Sequence, residues 1–263
     1  MFWIPLREYS THPMRIEVIT LFPGYFESVV SESILGRGKN KGLFDIRIID
    51  LRQFTADKHQ TADDKPYGGG GGMVLKVEPI YRCLKSLGYE KKPQPNERII
   101  LTSAAGRKFD QNLAVRYSLL KRMTILCGHY LGVDERVLAL FDIDEVSIGD
   151  YVLTGGEAPA AVMIDAVVRL IPGVLGNFES AVDDSYSETL LGAPVYTRPE
   201  EFMGLEVPRP LLTGNHGEIA RYRKRAAIRK TWQNRPELLK PAELDDDDLK
   251  YIEKPEGDEN NSQ

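Results

Sequence analysis

Cysteine is scarce in this sequence: only Cys83 and Cys127 occur among 263 residues, and no CxxC pair is present. A disulfide framework or a cysteine-held zinc cluster is therefore not expected, and a reducing cytoplasm is the expected compartment. The longest purely apolar stretches span a few residues, far short of the roughly 20 that a membrane span needs. The first seven residues are too short and too poorly patterned for a secretory signal.

Several common catalytic motifs are also missing. The sequence has no GxGxxG after a strand, no GxxxxGK[ST], no HExxH and no GxSxG, which excludes the dinucleotide fingerprint, the phosphate loop, the zincin motif and the hydrolase elbow. The four histidines are scattered at positions 12, 59, 129 and 216. Each fits a hydrogen-bonded polar residue better than a metal ligand, so no metal ligands are predicted.

What is present is a chain that is 42% hydrophobic and 28% charged, enough to bury a core. Strand patterns alternate with helical patterns, which predicts an α/β domain with a mostly parallel sheet and helices on both faces. The predicted strands begin at Met14 and cover Phe44–Asp50, Arg98–Thr102, Met123–Cys127 and Glu145–Ile148. The predicted helices cover Tyr25–Leu35, Val77–Leu87, Gln111–Leu120, Asp134–Phe141 and Glu157–Leu170, the last with a stripe of Val162, Met163, Ala166, Val167 and Leu170.

Composition divides the chain further. We predict an N-terminal extension (1–13), a cofactor-binding domain (14–176), a flexible linker (177–190), a small helical domain (191–240) and an acidic, frayed tail (241–263). The net charge is −5, but the tail alone carries nine acidic residues and two lysines. The segment Arg221–Arg235 has seven basic residues and no acidic one. It is either a solvated helix face or a surface for a polyanion, with Ile219, Tyr222 and Ala226 facing the core.

Glycine-bearing loops follow three of the predicted strands: residues 102–106, 127–132 and 148–156. In a parallel sheet, ligands bind beyond the carboxyl ends of the strands, and glycine lets bare backbone approach them. Two charged sites stand out near the following helix. Arg169 is either an ion-pair partner of Asp165 one turn away or a functional group, and Asp183-Asp184 is either a solubilising part of the linker or a functional group.

A set of longer motifs resembles one family. These are the segments 57–73 (DKHQTADDKPYGGGGGM), 106–111 (GRKFDQ), 147–157 (SIGDYVLTGGE), 164–167 (IDAV), 171–176 (IPGVLG), 196–199 (YTRP) and 214–219 (GNHGEI). In this order, from Met14 to about Leu239, they resemble the bacterial tRNA (guanine-N1)-methyltransferases of the SPOUT superfamily.

The resemblance implies a fold and a cofactor that composition and spacing do not show. Members of the family carry a deep trefoil knot in the α/β domain and work as homodimers with the active site at the interface. They bind S-adenosylmethionine in the knot. The matching cofactor positions are Thr102, Ser103, Gly128, Tyr130, Gly132, Ile148, Gly149, Asp150, Tyr151, Val152, Leu153, Gly155, Gly156 and Pro159.

The resemblance also implies a reaction: methylation of N1 of guanosine 37, next to the tRNA anticodon, when another guanosine precedes it. Asp184 matches the family's general base, and Arg169 matches the group that stabilises negative charge on guanine O6. The positions implied to contact the tRNA anticodon arm are His59, Ser185, Arg221, Arg225 and Arg229.

The sequence departs from the family pattern at a few positions. His129 and Leu131 stand where the family usually has arginine and glutamate, and Ala104-Ala105 replaces Pro-Gln. Because that glutamate is associated with magnesium, Leu131 leaves a magnesium requirement open. Gly192 replaces a frequently acidic residue. These departures keep two alternatives open: an RNA-binding relative that has lost catalysis, and a methyltransferase of the superfamily acting on another RNA.

Overall fold

The computed structural model describes residues 13–175 and 190–239, together with Leu244 and Asp248. These residues fall into two compact units, one within 13–175 and one from residue 190 onward. The N-terminal extension and nearly all of the predicted linker lie outside the described residues. In the described part of the chain, no helix is both long and apolar enough to cross a membrane.

A five-stranded parallel sheet forms the centre of the first unit, with the spatial order β2-β1-β6-β5-β7. Its strands are β1 (Met14–Thr20), β2 (Phe44–Asp50), β5 (Glu97–Lys108), β6 (Arg122–Cys127) and β7 (Ile143–Ser147). The short strands β3 (Asp63–Asp64) and β4 (Val74–Leu75) pair with each other in antiparallel fashion.

Helices cover both faces of this sheet, as the sequence predicts. They are α1 (Glu27–Ser31), α2 (Ser33–Asn40), α3 (Val77–Ser86), α4 (Gln111–Ser118), α5 (Arg136–Leu140) and α6 (Glu157–Val168). Side chains alternate between the faces of a strand. Ile16 and Val18 therefore join one buried cluster with α4 and α6, while Ile19 joins a second cluster with α3 and α5.

The predicted single helix over Tyr25–Leu35 is wrong. A 3-10 turn at Pro23–Phe26 precedes α1, and the chain breaks between α1 and α2. Glu32 is extended there, with ψ 163°, and Ser33 has a φ of 53°. A helical pattern cannot show such a break, because both residues are compatible with a helix by propensity alone.

The buried face of α6 also differs from the predicted stripe. Met163 and Val167 are buried as expected, but the side chain of Val162 is 49% exposed. The residues that share the buried face are Pro159, Ala160, Met163, Ile164, Val167 and Val168. The helix is apolar on nearly every side, so its periodicity carried little information about which face meets the sheet.

The second unit contains α7 (His216–Asn234), preceded by a hairpin of β8 (Glu201–Phe202) and β9 (Leu205–Glu206). Asn215 caps α7, because its side-chain oxygen accepts from the backbone N–H of Gly217 at 3.0 Å. The predicted core stripe of α7 is confirmed in part: Ile219, Tyr222 and Ala226 are half-buried, but the fully buried residues of the helix are Ala227, Ile228 and Thr231.

The prediction of a frayed acidic tail is wrong at the one tail carboxylate that is described. Asp248 is only 4% exposed, and its carboxylate accepts a hydrogen bond from the ammonium of Lys224 at 2.6 Å. This ion pair fixes residue 248 against α7.

Candidate functional site

The candidate site lies where β6 and β7 end, on either side of an irregular stretch within β5. The parallel pairing brings this stretch, which follows Thr102, to the same edge of the sheet as the loops after Cys127 and Ser147. Between these loops is a cavity of about 460 Å³. This volume falls within the range that small-molecule and cofactor sites occupy.

Nearly all of the cofactor-binding residues predicted from the sequence line this cavity. Thirteen of the fourteen line it: Thr102, Ser103, Gly128, Tyr130, Gly132, Ile148, Gly149, Tyr151, Val152, Leu153, Gly155, Gly156 and Pro159. Asp150 is exposed and is not part of the lining. The lining also includes His129, Leu131, Glu135 and Glu145, which the sequence reasoning did not assign.

Two glycines allow the three loops to meet at the back of the cavity. The backbone N–H of Gly156 donates to the carbonyl of Gly128 at 2.7 Å, and the N–H of Gly128 donates to the hydroxyl of Thr102 at 3.1 Å. A Cβ at position 156 would overlap the Thr102 hydroxyl and would lie 2.7 Å from the Gly128 nitrogen. Any larger residue at position 156 would therefore push the loops apart.

The loop after β6 turns sharply at Tyr130. The φ of Tyr130 is 58°, and the N–H of Gly132 donates to the carbonyl of His129 at 2.9 Å, which closes the turn. The Tyr130 side chain stays 48% exposed at the cavity. In the loop after β7, the side chain of Ser147 bonds the backbone of Gly149 in both directions, at 2.9 and 3.2 Å.

The glycine-rich segment 68–72 reaches the same edge of the sheet. Leu131 donates its backbone N–H to Met73 at 3.0 Å, and the N–H of Leu75 donates to the carbonyl of Gly132 at 3.0 Å. A Cβ at Gly72 would lie 3.0 Å from Leu131, and the φ of this glycine is 96°. Leu131 therefore joins the glycine-rich loop to the cavity wall through an apolar contact.

A buried carboxylate lies behind the cavity, at the first residue of α6. Glu157 is 5% exposed, and the hydroxyl of Thr20 donates to it at 2.6 Å. A carboxylate at a helix N-terminus is stabilised by the unpaired backbone N–H groups there. Burial, and secondarily the charge of Glu157, raise the pKa of Cys127 well above its usual value. The position of Glu157 at a helix start was a signal that sequence reasoning did not use.

The predicted catalytic residues are not gathered at this cavity by the described part of the chain. Asp184 lies outside the described residues. Arg169 is half-buried directly after α6, and its backbone N–H donates to Asp165 at 3.1 Å. Pro159 lines the cavity near the start of that helix, so the helical rise places Arg169 about 15 Å farther along the axis.

The predicted tRNA contacts are also distributed along the chain. His59 is exposed in a turn of the first unit, and Ser185 lies outside the described residues. In the second unit, Arg221 on α7 is exposed, whereas Arg225 and Arg229 are half-buried. Among the described residues, no group of three or more His, Cys, Asp or Glu side chains could hold a metal ion.

Comparison with known proteins places this geometry in a family. Residues 14–241 match the family model described as tRNA (Guanine-1)-methyltransferase TrmD. A tRNA (guanine-N(1)-)-methyltransferase of Geobacter metallireducens is 52% identical over 239 residues, covering 91% of this chain and 96% of the relative. Proteins with the same name from Geotalea uraniireducens and Geobacillus kaustophilus are 49% and 48% identical over 91% of this chain, covering 96% and 97% of their own lengths. The chain therefore belongs to the tRNA (guanine-1)-methyltransferase family.

Proposed function

We propose that this protein transfers a methyl group from S-adenosylmethionine to N1 of guanosine 37 of tRNA, when a guanosine precedes that position. The observation that carries the proposal is the cavity at the ends of β6 and β7, beside the irregular stretch of β5, in a chain that matches the methyltransferase family over residues 14–241. The proposal includes the knotted backbone that the resemblance implies.

The residues around the cavity fit the proposed cofactor. Gly132 lines the cavity and a Cβ there would meet nothing within 4 Å, so bare backbone leaves room for a planar adenine, whose edge peptide N–H and C=O groups can read. Leu101, Leu138 and Pro159 supply apolar contacts around it. Glu135 and Glu145 line the same cavity and supply negative charge for the cationic end of the cofactor. When bound, S-adenosylmethionine supplies an electrophilic methyl group on a sulfonium.

Side chains of the protein activate the guanine for methyl transfer. Guanine N1 carries a proton, and its lone pair is delocalised into the ring. A carboxylate that accepts this proton makes N1 a nucleophile, and we assign that role to Asp184. As the proton leaves, negative charge grows on guanine O6. A guanidinium held near O6 stabilises that charge, and we assign this role to Arg169.

The position of Arg169 supports a site that two copies of the chain share. Within one chain, Arg169 follows α6 at the end opposite the cavity-lining residues. We propose that the partner copy brings its Arg169 and Asp184 to the cavity, so that the tRNA is bound across a homodimer.

A panel of tRNA transcripts tests the reaction. The purified protein is incubated with methyl-labelled S-adenosylmethionine and with transcripts that carry G36-G37, A36-G37 or G36-A37, each with and without a chelator. The proposal predicts label on N1 of guanosine 37 in the first transcript only, mapped by mass spectrometry of the nucleosides. Binding of RNA without methyl transfer would favour the RNA-binding alternative. Transfer to another nucleotide would favour a different RNA substrate.

Complementation tests the shared site. Gly156→Ala should disable the cavity, and Asp184→Asn should disable the proposed base, so each variant alone is expected to be inactive. Mixed dimers of the two contain one site in which the cavity and the base are both intact. Recovery of activity after mixing is the expected result. Two variants that stay inactive together, although mixed dimers form, would contradict the shared site.

A further inference from the structure

The imidazole of His129 presents an unused hydrogen-bonding atom at the back of the cavity. His129 Nδ1 is fully buried and has no hydrogen-bond partner among the described residues. A buried polar nitrogen without a partner is costly, so such an atom calls for an explanation. The ring itself is packed, with centroids 5.0 Å from Phe22 and 4.3 Å from Tyr130.

The carboxylate of Glu157 is the candidate partner for this nitrogen. A Cβ built at Gly155 would lie 2.5 Å from His129 Nδ1 and would overlap Glu157 Oε2. His129 Nδ1 and Glu157 Oε2 therefore border the same small space, which stays open because residue 155 has no side chain. The backbones of His129 and Gly155 also form an isolated antiparallel bridge, which keeps these two segments aligned.

The other oxygen of that carboxylate is already engaged. Glu157 Oε1 accepts from the Thr20 hydroxyl at 2.6 Å, which ties the start of α6 to the end of β1. A bond from His129 to Oε2 would add the loop after β6 to the same connection. His129, Gly155 and Gly156 all line the cavity, so the connection would set the distance between two of its walls.

We infer that His129 is a positioning residue of the cofactor site, whose Nδ1–H donates to Glu157 Oε2 when S-adenosylmethionine occupies the cavity. The inference rests on the proposed function. A small movement of the loop after β6 toward α6 satisfies the buried nitrogen and narrows the cavity around its ligand. Cofactor binding is then favoured by a hydrogen bond within the protein, in addition to the contacts with the cofactor itself.

Two substitutions separate this role from packing. His129→Asn keeps a nitrogen donor close to the position of Nδ1 but removes the ring. His129→Phe keeps the ring but removes the nitrogen. If the hydrogen bond matters, His129→Phe raises the Kd for S-adenosylmethionine about tenfold and His129→Asn changes it about threefold at most. The kcat at saturating cofactor stays close to that of the parent, so the effect falls on KM.

A second measurement tests whether Glu157 is the hydrogen-bond partner of His129. In a double-mutant cycle of His129→Phe with Glu157→Met, the effects on cofactor Kd should be non-additive, because either change removes the same bond: Phe lacks the donor and Met lacks the acceptor. Thermal unfolding of each variant checks that the fold is intact. If His129→Phe binds like the parent while His129→Asn is weakened, or if the cycle is additive, the inference is wrong. A parent protein that binds no S-adenosylmethionine would instead contradict the proposed function, and the inference with it.

Discussion

Gly156 offers a sharp test of how the loops build the cavity. In Gly156→Ala the new methyl group would overlap the Thr102 hydroxyl and would lie 2.7 Å from the nitrogen of Gly128 and 2.9 Å from the Cα of Cys127. Two of these atoms belong to the backbone at the end of β6. They cannot move aside as a flexible side chain can, so the loop before α6 must shift.

The magnitude follows from these contacts. Forcing one methyl group into a filled site costs about 1–3 kcal/mol. If the shift separates the Gly156 nitrogen from the Gly128 carbonyl, which are 2.7 Å apart, about 1 kcal/mol more is lost. We therefore expect Gly156→Ala to lower the free energy of unfolding by roughly 2–4 kcal/mol. Cofactor binding should be weakened as well, because the shifted loops line the cavity.

Denaturant unfolding and calorimetric titration with S-adenosylmethionine measure the two effects. Gly71→Ala is a suitable control, because a Cβ there has nothing within 4 Å and its φ is not positive. That variant should unfold and bind like the parent. A Gly156→Ala protein with parental stability and parental cofactor affinity would refute the account of how these loops meet.

Three further predictions concern other parts of the molecule. Glu17→Leu should cost about 3 kcal/mol of unfolding free energy, the low end for a broken buried ion pair. The nearly buried Arg122 guanidinium would lose the carboxylate that lies 2.8 Å away and keep the more distant Glu97, at 3.9 Å. Adding Arg122→Met should recover part of the loss in denaturant unfolding, and an additive loss would contradict this. Burial raises the pKa of Cys83 to about 12 and that of Cys127 well above its usual value. At pH 8 neither thiol ionises, so neither should react with a disulfide reagent until the protein unfolds. Rapid reaction of the native protein with the reagent would contradict this prediction. Arg221→Ala should weaken tRNA binding and reduce the magnitude of the slope of log K for tRNA binding against log salt concentration by roughly 0.7–0.9, as the loss of one phosphate contact would. An unchanged slope would show that Arg221 does not contact a tRNA phosphate.

Much of the fold could be predicted because the strands carry strong local patterns. The prediction for β2 matches the structure residue for residue, over Phe44–Asp50. Strands β6 and β7 were placed within two residues. Strand β5 was predicted to end at Thr102 but continues to Lys108 with a register shift before Arg107. Local pattern could not show this extension, since residues 103–106 are small and end in a glycine, which is typical of a loop.

The cavity was predictable for a different reason. Loops beside parallel strands were expected to converge at one edge of the sheet, and the lining includes Gly128, Gly132 and Gly156 as expected, but not Gly106. The polar residues behind it were not predictable from local pattern. Thr20 and Glu157 are 137 residues apart in the chain, so their hydrogen bond depends on tertiary folding alone. The catalytic assignments of Asp184 and Arg169 remain predictions from the family resemblance.

The most direct test of the central claim compares two neighbouring carboxylates. In single-turnover methylation of a G36-G37 transcript, Asp184→Asn should slow methyl transfer by a factor on the order of 10² to 10⁴, because the residue can no longer accept the N1 proton. The Kd for S-adenosylmethionine should stay unchanged, and Asp183→Asn should react like the parent. Parental methylation rates in Asp184→Asn would contradict the account.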